Sequence, residues 1–172
     1  MRPLHLLWLN LLTDGLMGLG LGLEPAEADV MARPPRRPDA PIFDRPAIVH
    51  VGWMGLFICG GTLLLAAIWN RLGWGGGEWQ TVLFSAIGFA QIGQAWGLRA
   101  LAGRSFRFGR NPALVGLTLA TLALQLAVVY VPALARVFQL QPLSPAGFAA
   151  TAGLGALTFG AVRLERARRR PR

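Results

Sequence analysis

The sequence predicts an all-α integral membrane protein, a single membrane domain over residues 1–172 built as a bundle of about five transmembrane helices. Three observations predict it. Hydrophobic residues make up 53% of the chain and charged residues only 15%, with a mean hydropathy of +0.46, whereas a soluble domain carries about a quarter charged residues. Five stretches have the roughly 20 mostly apolar residues that a helix needs to cross about 30 Å of hydrocarbon. The charges collect in the segments between those stretches, as they do in the loops of membrane proteins.

The predicted spans are residues 4–23, 47–69, 80–98, 114–131 and 146–162. The first holds one charge, Asp14, and the other four hold none. Between the first two lies a Pro-rich connector, 24–46, with Pro25, Pro34, Pro35, Pro38, Pro41 and Pro46, a composition that favours irregular backbone. The second span has Trp53 near its start and Trp69 at its end, and Trp74 and Trp79 flank the next turn, an interfacial aromatic belt. Gly75-Gly76-Gly77 reads as a flexible external turn. Gly18-x-x-x-Gly22 in the first span and Gly55-x-x-x-Cys59 in the second predict close helix–helix approach. The third span carries Thr81, Ser85, Gln91 and Gln94, and the fourth carries Gln125. A neutral Gln in a span reads as interhelical glue sooner than as a ligand.

All 17 basic residues are Arg, which reads as the codon usage of a GC-rich, bacterial genome. Fourteen of them fall in the 24–46 connector, the segment from Arg99 to Pro112 and the tail 163–172; only Arg2, Arg71 and Arg136 fall on the other side. The excess of positive charge on cytoplasmic loops therefore places the N-terminus outside and the tail in the cytoplasm, and an odd number of spans fits. The tail reads as an anchor to anionic lipid in the plasma membrane. The same segregation accounts for the net charge of +9 without nucleic acid. Cys59 is the only cysteine, which excludes an intrachain disulfide and a multi-thiol metal site. His5 and His50 are isolated near the ends of apolar runs, and neither is assigned a role.

Polar groups in the bilayer core are costly and mark function. Asp14 lies near the middle of the first span, and at about 100° per residue Asn10, Thr13 and Asp14 share one helical face. Carboxylate, amide oxygen and hydroxyl are hard ligands that suit Ca²⁺, Mg²⁺ or Mn²⁺, although calcium takes roughly six to eight oxygens and one helix cannot complete the set. Gly15, Gly18, Gly20 and Gly22 would let the helix unwind and expose carbonyls, as ion sites in transporters do. Two other readings stay open: a turn that leaves Asp14 in water, and a secretory signal peptide ending at Ala26-Glu27-Ala28.

Leu7-Trp8-Leu9-Asn10-Leu11-Leu12-Thr13-Asp14-Gly15-Leu16 resembles the sixth transmembrane helix of P-type cation-transporting ATPases of the calcium-pump class. Gly22-x-Glu24-Pro25 and Asp29-x-Met31-x-Arg33-Pro34-Pro35-Arg36 resemble that family's next cytoplasmic loop. Val129-Tyr130-Val131-Pro132, Phe138 and Gln141-Pro142-Leu143-Ser144 resemble the end of its ninth helix and the turn into its tenth. The resemblance covers essentially the whole chain, as helices six to ten. It implies that Asn10, Thr13 and Asp14 are cation ligands and that Gln91, on the eighth helix, joins them. Gln91 stands where an acid is common, which lowers the charge of the site, and Met17 stands where the family has Pro.

The resemblance also implies a transported divalent cation, Ca²⁺ before Mn²⁺ or Mg²⁺, driven by ATP and Mg²⁺ that act only through domains absent from this chain. The D-K-T-G phosphorylation motif does not occur, so no catalytic residue is expected and the chain alone is not expected to hydrolyse ATP. The expected function is therefore the ion-pathway part of a P-type ATPase, joined to the remainder in cis or in trans, as a fragment or a gene model begun at an internal Met1. The alternatives are a stand-alone non-catalytic membrane protein, acting as a split-pump subunit or regulator, and a small transporter using Asp14 as a proton relay.

Overall fold

Pro3 opens the first helix, where its fixed φ and missing N–H cost nothing. In this computed structural model, which describes residues 2–26, 30–32, 41, 44–73, 77–99 and 111–168, that helix runs as three joined pieces. These are α1 (Pro3–Trp8), a π-helical segment (Leu9–Asp14) and α2 (Gly15–Gly22). The other helices are α3 (Arg45–Leu72), α4 (Trp79–Leu98), α5 (Pro112–Tyr130), the short α6 (Pro132–Phe138) and α7 (Pro145–Arg168). One 3₁₀ turn covers Val30–Ala32. The described residues form no strand.

Local chemistry sets the helix ends. Asp44 caps α3 by accepting from Ala47 N–H at 2.9 Å, and α3 stops at Gly73, whose φ of 64° is left-handed. Asn111 caps α5 by accepting from Leu114 N–H at 2.8 Å. Pro132 forces Val131 into extended backbone (φ −80°, ψ 116°), which ends α5 and starts α6. Ser144 caps α7, its Oγ accepting from Gly147 N–H at 3.1 Å. Helix α7 stays helical through Arg168, so the first residues of the expected tail belong to the helix.

Four helices among the described residues are long and apolar enough to cross a membrane: Pro3–Gly22, Arg45–Leu72, Pro112–Tyr130 and Pro145–Arg168. Helix α4 is also 20 residues long but less apolar, because Gln80, Gln91 and Gln94 lie along it. It is the enclosed centre of the bundle, with ten of its residues buried. Helix α7 lies against it along a seam of glycines. A Cβ at Gly93 would meet Gly155 O at 2.1 Å, one at Gly155 would meet Phe89 O at 2.7 Å, and one at Gly97 would meet Val162 Cβ at 2.7 Å. Close backbone approach through small residues is the general device of helix packing in membranes.

The glycines singled out in the sequence do something else. Gly18, Gly22 and Gly55 have nothing within 4 Å of a would-be Cβ, and Cys59 is exposed. Within the first helix it is Gly20 that makes the close contact, on Leu114 of α5. Trp69 also departs from the expected belt: it is 5% exposed and packs in the core with Leu9, Val82, Phe84, Val128 and Phe138. Most of the 24–46 connector, residues 100–110, Trp74, Gly75, Gly76 and residues 169–172 lie outside the described residues.

Two polar clusters tie the helix ends. At one end Glu24 pairs with Arg99 at 3.3 Å and accepts from Asn111 Nδ2 at 2.7 Å, while Asn111 also donates to Gly20 O at 2.9 Å. Arg166 of α7 donates to Leu98 O, and His50 of α3 meets Glu165 at 2.6 Å. At the opposite end the buried carboxylate of Glu78 accepts from Ser144 N–H at 2.6 Å, at the N-terminus of α7 where negative charge is favoured. There His5, fully buried, contacts Phe138 O at 2.7 Å through Nε2. Both clusters join residues far apart in sequence, so the helices alternate in direction through the bundle.

Candidate cation site

The first helix changes its winding at the residues that carry its polar groups. Gly15 N–H donates to Asn10 O, five residues back, the spacing of a π-turn, and such turns recur at functional sites. At this register the segment does not present Asn10, Thr13 and Asp14 as one face. Thr13 is completely buried against α4, whereas Asn10 and Asp14 are exposed. The expectation of a single shared face therefore holds for Asn10 and Asp14 and fails for Thr13.

Helix α4 supplies the fourth residue. Gln91 Nε2 donates to Asp14 Oδ1 at 2.7 Å, and Thr13 Oγ1 lies 2.5 Å from Gln91 Oε1. Thr13 also contacts Leu9 O one turn back. The structure thus brings Thr13, Asp14 and Gln91 into one hydrogen-bonded chain across two helices. It leaves the Asn10 side chain outside that chain, hydrogen-bonded to none of the described residues.

The neighbourhood is otherwise apolar or neutral. Below the chain, Met17, Ala95 and Leu114 form a buried cluster, and Trp96 Nε1 donates to Thr118 Oγ1 at 2.9 Å. Above it, Trp8 Nε1 donates to Gln125 Oε1 at 3.1 Å, so Gln125 serves as the interhelical link expected of a span glutamine. Among the described residues no group of three His, Cys, Asp or Glu side chains could hold a metal ion. Among the described residues the oxygens at this place are one carboxylate and neutral amide and hydroxyl groups, fewer than the roughly six to eight that calcium takes.

The Glu24–Arg99–Asn111 cluster, which fixes the end of the first helix to α4 and α5, was not read from the sequence. The signal was present: an acid directly after an apolar span and an Arg directly after another mark interfacial positions. The π-turn had a weaker signal in Asp14-Gly15.

The described residues thus form an all-helical bundle that gathers a carboxylate, an amide and a hydroxyl mid-span across two helices. The chain belongs to the family of the cation-transporting ATPase C-terminus, whose model matches residues 1–168. It is 32% identical over 164 residues to a calcium-transporting ATPase of Bacillus subtilis, covering 90% of this chain and 18% of that protein. It is 31% identical over 164 residues to mouse calcium-transporting ATPase type 2C member 2, covering 92% and 17%. It is 31% identical over 146 residues to calcium-transporting ATPase 1 of Yarrowia lipolytica, covering 84% and 16%. The chain thus spans less than a fifth of the length of these relatives.

Proposed function

We propose that this chain is the ion-pathway part of an ATP-driven pump for a divalent cation, Ca²⁺ in preference to Mn²⁺ or Mg²⁺, in a bacterial plasma membrane. Asn10, Thr13, Asp14 and Gln91 form its share of the cation site, and Asp14 supplies the charge. The Arg-rich end faces the cytoplasm and the N-terminus faces out. The remaining ligands, and the domains through which ATP and Mg²⁺ act, come from the rest of the ATPase. The observation that carries this reading is the Asp14 carboxylate, exposed mid-span on a π-turn and, among the described residues, hydrogen-bonded only to a neutral amide. A carboxylate with no cationic partner among the described residues is costly at that depth unless an ion comes to it.

The test is cation-activated phosphoenzyme formation from ATP by the complete ATPase in membranes. Asp14→Asn should raise the half-saturating Ca²⁺ concentration by more than the roughly 10–100-fold that loss of an outer-shell partner costs. Gln94→Ala, one turn along α4, should leave it unchanged. Equal Ca²⁺ dependence for Asp14→Asn and the parent would refute the site. Whether the remainder is joined in cis or in trans is read by tagging the C-terminus at the native locus. A band several-fold above 18.5 kDa means cis, and a band near 18.5 kDa means trans.

A further inference from the structure

The Thr13 oxygen lies within hydrogen-bonding reach of two acceptors, Leu9 O and Gln91 Oε1. A hydroxyl has one hydrogen, so it can donate to only one of them. In the observed orientation Thr13 O–H donates to Gln91 Oε1 and Gln91 Nε2 donates to Asp14 Oδ1. That leaves the Thr13 and Leu9 oxygens facing each other with no hydrogen between them.

Turning the Gln91 amide over resolves that contact and creates another. Nε2 then donates to the Thr13 oxygen, and the Thr13 hydrogen is free for Leu9 O, so the Thr13 and Leu9 oxygens no longer face each other bare. The Gln91 oxygen now faces the Asp14 carboxylate at the position held by Nε2, 2.7 Å from Oδ1. Two unprotonated acceptors so close need a proton or a cation between them. Two oxygens at that spacing can both reach one ion at the 2.3–2.6 Å of calcium–oxygen bonds. Each arrangement thus has one unfavourable contact, and a cation decides between them.

We propose that the Gln91 amide is a two-position element of the cation site, set by Thr13. In the empty site its NH₂ covers the Asp14 carboxylate; on loading it turns over and presents Oε1 to the ion. Thr13 is then a positioning residue that acts through Gln91: its oxygen is fully buried, and its hydrogen passes from Gln91 Oε1 to Leu9 O as the amide turns. No proton leaves any group, and only hydrogen bonds exchange. Gln suits this part better than Glu, because an ionised carboxylate has no hydrogen with which to cover Asp14. The proposal rests on the reading of Asp14 as a cation ligand.

The test is infrared difference spectroscopy of the complete ATPase in membranes, with glutamine side-chain carbonyls carbon-13 labelled and Ca²⁺ added. A calcium-induced shift of a glutamine carbonyl band is expected, absent in Gln91→Leu. Thr13→Val should alter the band and weaken Ca²⁺ affinity roughly two- to tenfold, the worth of one net hydrogen bond; Thr13→Ser should restore both. A merely structural Thr13 would leave the band in place. Should Gln91→Leu fail to reach the membrane, the valine and serine variants decide: valine matching threonine overturns the proposal. A band that survives Gln91→Leu, while Asp14→Asn abolishes the calcium response, overturns the amide switch alone. A calcium response unchanged by Asp14→Asn overturns the site and the switch together.

Discussion

The α4–α7 seam offers the sharpest test of how this bundle is held. Replacing Gly93 with Ala places a methyl 2.1 Å from Gly155 O, 2.9 Å from Gly155 C and 3.2 Å from Phe159 N. All three are backbone atoms of α7, so no side chain can swing aside. Restoring ordinary contact moves one helix outward by roughly an ångström, which also loosens Gly155 on Phe89 and Gly97 on Val162. Overpacking of a tight core costs about 1–3 kcal/mol, and rigid backbone on both sides puts this site at the upper end. At roughly 2–4 °C per kcal/mol for a chain of this size, the expected fall in Tm is about 6–12 °C. The assay is thermal loss of the monodisperse peak of the tagged chain in mild detergent. Gly153→Ala, on α7 with nothing within 4 Å, is the control and should melt with the parent. If Gly93→Ala and Gly153→Ala melted together, the seam would not be the contact that closes the bundle.

The same assay checks the polar clusters. Glu24→Gln removes the negative charge beside Arg99, which is 4% exposed, and should cost about 1–3 kcal/mol, whereas pairing it with Arg99→Met should recover most of the loss. No recovery would refute the ion pair as the cause. Glu78→Leu deprives Ser144 N–H of its acceptor and should cost about 1–3 kcal/mol, with Glu78→Gln milder because its amide oxygen can still accept. Equal losses for the two would mean that packing, and not the hydrogen bond, holds Glu78.

Composition made the membrane legible: each of the five apolar stretches forms a helix, and four of those helices are long and apolar enough to cross a membrane. Asp14 was legible as the one charge inside a span, and the resemblance paired it with Gln91, which lies 2.7 Å away. Which glycines pack was not legible. Gly18 and Gly22 have the same spacing as Gly93 and Gly97, yet only the second pair faces a neighbour, because facing depends on where another helix lies. The orientation of Thr13 was misread for a local reason: a period of 100° per residue assumes α-helical winding, and the turn from Leu9 to Asp14 is wider. Trp69 was misread because an aromatic near a span end can turn into the bundle as easily as out of it.

Two exposed faces of this bundle differ in kind, and the difference bears on the proposed function. Helix α3 exposes Ile48, Val51, Leu56, Leu63 and Leu64, aliphatic side chains that hydrocarbon accepts. The first helix buries Thr13, Met17 and Gly20 against α4 and α5, and exposes Asn10, Leu11, Asp14 and Gly18 on its other side. A carboxylate and an amide facing lipid at mid-span would cost several kcal/mol by the insertion scales, about 2.5–3.5 for the aspartate alone. Gly18 and Gly22, with nothing within 4 Å, would bring a neighbouring backbone close on that side, where carbonyl oxygens could meet the ion. Under the proposed function this side turns toward the rest of the ATPase, and lipid meets α3. On that proposal, Thr13 and Gln91 hold Asp14 from behind, and its open side is presented to ligands from the rest of the ATPase.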